Sequence, residues 1–261
     1  MTMKRPSLLA SLLLASCTLL AQKAEQENKV PTAADLRAIT ARGKLMAEYD
    51  VAAWHATDVV QDLKPEKGST RYYIAKKTDK GWVVVFGRLN EAHDKFLTVY
   101  LASEGTKPEF FTAKKFDPPQ ESAEFYFYAA KAFEASLKDL GAVTRPYNAY
   151  AIPSENGQLY VYLLPAPTDE RPHPLGGDVR YTFTADGATM LVKRQMHKTV
   201  LDMAYDKKAV AGYHVHVLTL SPEDSDVFFV LSRRPSIPEY IGTQDKKIYV
   251  IQTDGTILLG K

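Results

Sequence analysis

The chain has 261 residues, 45% of them hydrophobic and 25% charged, a globular composition rather than a disordered or low-complexity one. That length gives room for one large domain or two small ones, with a sizeable core in either case. Lysine and arginine number 33 against 31 acids, and no basic cluster exceeds a pair, which sets nucleic acid aside as a partner.

Lys4 and Arg5 precede the short apolar run SLLASLLLAS, the order of a secretory signal. The run falls short of the roughly 20 apolar residues that a membrane span needs. The only cysteine closes Leu14-Ala15-Ser16-Cys17, which resembles the lipobox of bacterial lipoproteins. In that family the signal is cut before the cysteine and the thiol is acylated. The alternative is an ordinary signal peptide over residues 1–21. Both readings imply export, to the periplasm or to a membrane surface through a lipid anchor on Cys17, with secretion as a third destination. Membrane contact is expected only through that anchor. Residues 22–31 read as a polar tether, and 32–261 as one α+β domain with its best internal boundary at 142–147.

Thr32 followed by Asp35 is a helix start, and apolar residues recur at helical spacing from about 33 to 62, with an interruption expected near Gly43 or Asp50. Strands follow at 71–77, 81–89 and 95–103, joined by short turns and so antiparallel. In the second, Trp82, Val84 and Phe86 should share one face, with Val83 and Val85 on the other. FDPPQES is expected to open a second helix, with Asp117 as its cap and Pro118 and Pro119 in the first turn, running to Gly141. The remainder reads as an antiparallel meander punctuated by turns such as Asp186-Gly187 and Asp254-Gly255. Within it GYHVHVLTL and DVFFVLSRR are expected to form a hairpin across Ser221-Pro222-Glu223-Asp224-Ser225. The fold class is therefore α+β, two main helices with mostly antiparallel sheet.

Several chemistries lack their signatures: there is no Gly-x-Ser-x-Gly elbow, no Ser-x-x-Lys, no His-Glu-x-x-His, no phosphate-binding glycine loop and no Rossmann fingerprint. Gly176-Gly177-Asp178 begins like the GGDEF signature of diguanylate cyclases but departs from it at the next two residues, and a flexible loop explains it better. Glu48, His55 and Asp58 could share one helix face, and Trp54 beside them reads as core. Tyr160 and Tyr162 read as exposed strand aromatics. DVFFVLSRRPSIPEYIGTQDKKIYVIQTDGTI resembles a loose group of exported bacterial proteins with no assigned activity; the resemblance covers the last third and implies export and a β-rich ending.

His214 and His216 stand two apart on an expected strand, so both point to one face, as two zinc ligands can. His197, Glu223 or Asp226 could supply a third ligand. The pair resembles the His-x-His of JAMM metalloproteases, but Val217-Leu218 stands where that family has proline directly after the second histidine. The acids belong to an expected turn some way along the strand. The sequence expectation is accordingly a solvated strand face without a stoichiometric metal or other cofactor. It points to a non-catalytic binding or assembly module of the cell envelope, with a metal-assisted hydrolase using His214 and His216 as the alternative.

Overall fold

The computed structural model describes residues 29–107, 109–168, 173–203 and 206–260. The expected signal segment, Cys17 and most of the tether lie outside the described residues. Helix α1, Ala33–Gln61, starts where Thr32 and Asp35 form a capping box, the Thr32 amide donating to Asp35 at 2.8 Å. It runs through Gly43 and Asp50 without the expected interruption. Strands β1 (Tyr72–Thr78), β2 (Gly81–Leu89), β3 (Phe96–Glu104) and β4 (Phe111–Glu121) form an antiparallel sheet in chain order. Trp82, Val84 and Phe86 enter one core and Val85 another, the alternation that a strand buried on both faces must show.

Asp117, Pro118 and Pro119 do not open a helix; they lie in β4. Pairing with β3 shifts between Thr98 and Tyr100, so the prolines occupy an irregular stretch of an edge strand, where a missing N–H leaves no ladder bond unmade. Helix α2, Glu124–Leu140, follows at Ala123 and stops at Gly141.

Strands β5 (Tyr147–Pro153), β6 (Leu159–Pro165), β8 (Val179–Phe183) and β9 (Met190–Gln195) make a second antiparallel sheet, with β5 lying against β1. Side chains of both sheets feed two shared cores. One packs under α1 through Met46, Tyr49 and Ala53, the other under α2 through Ala129, Ala132 and Phe133. β7 (His173–Gly176) pairs with β10 (Val200–Met203) as a separate ribbon.

The expected hairpin over 211–230 does not form. Its first arm is the short strand β11, Gly212–Val215; its second is helix α3, Asp224–Ser232. β12 (Glu239–Gly242), β13 (Ile248–Ile251) and β14 (Ile257–Leu259) complete a third sheet in the order β11-β12-β13-β14. β11 and β12 run parallel, which makes β11-α3-β12 a crossover unit; the other pairings among the described residues are antiparallel. A third core, with Val227 and Val230 of α3 against Ile241, Tyr249 and Ile251, seats the helix on this sheet. The α+β class stands, with three helices and a closing meander.

Candidate metal centre

β11 inverts the usual strand pattern. His214 and His216 do point to one side, but it is the inner one: they are 7% and 2% exposed, while Val215 and Val217 are 50% and 53% exposed. The expected solvated face is thus a buried one. An imidazole buried in preference to its neighbouring valines forgoes water and must find partners inside.

The partners come from two other segments. His197 follows β9, and Asp226 sits in the first turn of α3. His197 Nε2 is 2.9 Å from His216 Nε2, and His214 Nε2 is 3.1 Å from it. Asp226 Oδ1 lies 3.1 Å from His197 Nε2 and 3.2 Å from His214 Nε2; Oδ2 lies 3.2 Å from His216 Nε2. These four residues, and no other group of three or more among the described residues, bring potential ligand atoms together in this way, all within 4.8 Å. Glu223, the other acid considered for the site, is turned away and grips Arg194 at 2.6 Å and 3.1 Å.

Each imidazole is oriented from behind. His197 Nδ1 meets Asp178 Oδ1 at 2.7 Å, and His214 Nδ1 meets Glu239 Oε1 at 2.9 Å. His216 Nδ1 donates to the Ser221 carbonyl at 2.8 Å. A carbonyl and two carboxylates can only accept, so every Nδ1 carries a proton and every Nε2 is turned inward, where it can hold a second proton or, once that is lost, offer a lone pair to a cation. Glu239 is held in turn by Arg233 Nη1 at 2.7 Å. Asp226 Oδ2 accepts the Glu223 amide at 2.6 Å, whereas its buried Oδ1 faces the imidazoles of His197 and His214.

The electrostatics are steep. Burial works against a charged His197, but Asp178 and Asp226 outweigh it and hold its pKa well above the usual value. Burial likewise opposes a charged His214, yet hydrogen bonds to Asp226 and Glu239 push it up to about 9. Asp226 is held well below the carboxylate range by His216 and His197, against the cost of its burial. The carboxylates of Asp178, Asp226 and Glu239 outnumber the guanidinium of Arg233 by two, and that surplus is matched by the second protons that His197 and His214 hold.

Local sequence explains how the pieces arrive. Gly176 and Gly177 adopt φ of +83° and +68°, and a Cβ on Gly176 would meet the Thr199 carbonyl at 2.4 Å. The Gly-Gly corner is therefore no flexible loop; it turns the chain so that Asp178 reaches His197. Gly212 is required because a Cβ there would meet Glu239 Oε2 at 1.9 Å. The start of α3 is clamped by Asp224, which takes Arg42 at 2.8 Å, Arg180 at 2.5 Å and the Tyr162 hydroxyl at 2.8 Å. Burial disfavours the Asp224 carboxylate, but Arg180 and Arg42 lower its pKa on balance. Tyr162 is thus buried rather than exposed as expected.

The other candidates do not assemble. Glu48 pairs with Lys77 at 2.5 Å, and His55 stacks on Trp54, which is 62% exposed rather than core. Asp178, Glu239 and Arg233 were missed in the sequence; only the Gly-Gly-Asp corner offered a signal for any of them. Comparison with protein-family models, with curated proteins and with solved structures finds no match to this chain.

Proposed function

We propose that this chain is an exported metal-binding protein in which His197, His214, His216 and Asp226 hold one zinc ion. The observation that carries the reading is the convergence of the Nε2 atoms of His197, His214 and His216 on the buried Asp226 carboxylate. Four acceptors at this spacing repel one another unless a cation or protons lie between them. A tetrahedral zinc with arms of about 2.0–2.1 Å has ligand–ligand edges of about 3.3–3.4 Å, close to the 2.9–3.2 Å of four of the six pairs formed by the three Nε2 atoms and Asp226 Oδ1, with all four residues' ligand atoms within 4.8 Å of one another. A dication in place of the second protons of His197 and His214 keeps the charge balanced against the surrounding carboxylates and Arg233. Nitrogen-rich tetrahedral donors with no thiolate favour zinc over calcium or magnesium, which prefer oxygen.

Asp178 and Glu239 fit the carboxylate–histidine–metal arrangement that fixes ring orientation and strengthens the ligand. With Asp226 as fourth donor the centre is suited to holding the ion and tying β11, α3 and the segment after β9 together. That favours a binding module over the metal-assisted hydrolase. Export rests on the signal-like residues 1–21 and on Cys17. Metal analysis of the purified protein tests the reading: one zinc per chain is expected, and none in the His214→Ala/His216→Ala variant. A metal-free parent that takes up no added zinc contradicts it.

A further inference from the structure

A cavity of about 370 Å³ opens beside the centre. Of the four proposed ligands only His197 and His214 line it; His216 and Asp226 lie behind them and are almost wholly buried. The remaining wall is mostly apolar, through Leu175, Leu201, Tyr213, Val217 and Leu218, with Thr199 and the charged Lys198 as its polar side chains. Leu201, Tyr213 and Val217 are each at least half exposed, an apolar rim that a protein surface rarely leaves bare without use. Val215 of β11 and Val217 just after it belong to this rim, so the inverted pattern that buries His214 and His216 also supplies apolar surface to the cavity. No carboxylate is among the described lining residues, which leaves the cavity without an evident general base.

Resting on the zinc reading, we infer that the cavity takes an amphiphile with a carboxylate head, which reaches the metal along the His197–His214 edge while its apolar body lies against Leu201, Tyr213 and Val217. Zinc expands readily from four to five ligands, so the incoming oxygen need displace none of the four side chains. Lys198 supplies the positive charge that a carboxylate seeks, and a few placed polar groups in an apolar hollow are what a small-molecule site requires.

Cobalt(II) in place of zinc makes this visible, because its absorption differs between four and five ligands. The cobalt-loaded protein is titrated with octanoate and with acetate. Octanoate should change the visible spectrum and bind at least about tenfold more tightly than acetate, since each added methylene finds apolar surface. Val217→Asp, on the exposed rim, should remove that preference and leave the ligand-free spectrum unchanged. A cobalt spectrum that neither acid perturbs, or equal affinity for both, overturns this inference and leaves the metal reading intact. A chain that takes up no cobalt overturns both.

Discussion

His214 Nε2 lies 3.2 Å from Asp226 Oδ1, although a strand end, a turn and the first turn of a helix separate the two in the chain. The crossover unit β11-α3-β12 produces this closeness. A parallel pair of strands forces the chain to climb back over the sheet, and the start of α3 lands on the inner face of β11. Acids at a helix N-terminus are favoured by its dipole and its free amides, so Asp226 is placed there for a local reason before any metal is considered. Asp226 then serves twice, with Oδ2 on the Glu223 amide and Oδ1 toward the imidazoles.

If the carboxylates behind the imidazoles orient metal ligands, weakening one should cost metal affinity while the fold survives. Asp178→Asn keeps the shape and can still accept from His197 Nδ1, but it removes a charge. Zinc affinity should fall roughly 10- to 100-fold, as it does on losing such an outer partner, measured by competition with a chromogenic chelator. Unchanged affinity would show that Asp178 plays no part in holding the ion.

The helix that carries Asp226 is set by a close crossing with α1. A Cβ on Gly43 would meet Val227 Cβ at 2.4 Å and the Asp224 carbonyl at 2.6 Å. Both are core or backbone atoms that cannot swing aside, so Gly43→Ala should destabilise the protein by about 1–3 kcal/mol, the usual cost of overpacking. In an exposed helix interior the same change would stabilise, because alanine is the better helix former. Urea unfolding decides the sign, and a gain in stability would mean the two helices are not in contact.

Asp50 provides a test by pH. Its burial raises the carboxyl above its usual range, which the Tyr150 hydroxyl at 2.7 Å only partly offsets. A raised folded pKa means that the contribution of Asp50 to stability is fully present below the unfolded value of about 4 and is lost as pH rises through the folded value. Asp50→Asn keeps an acceptor for Tyr150 and cannot ionise. The variant should therefore gain on the parent as unfolding is measured at rising pH from about 4 to 7. Parallel stability curves would contradict the shift.

Most of the fold was legible because periodicity and turn residues agree along it. Thr32 with Asp35 marked the first helix, and Trp82 to Phe86 marked a strand buried on both faces. The failures lie where local signals conflict. Val227, Phe228, Phe229 and Val230 prefer strands by propensity, and the acids before them read equally as a turn or as a helix start. Reading them as a turn removed Asp226 from the histidines. The candidate ligands were all named from the sequence. Their burial was not foreseen, because alternation fixes which side chains share a face and not which face is inside. Glu239 and Arg233 carried no sequence signal, since what places them is the parallel pairing of β11 with β12.

X-ray absorption at the zinc edge of the purified, zinc-loaded protein tests the central claim most directly, because it reports the ligands of the bound ion. The account predicts nitrogen and oxygen neighbours only, about four in number at about 2.0–2.1 Å, with the outer-shell pattern of three imidazoles. An ion with a shell of waters, or with a single imidazole, would place the zinc elsewhere and contradict the three-histidine, one-aspartate centre.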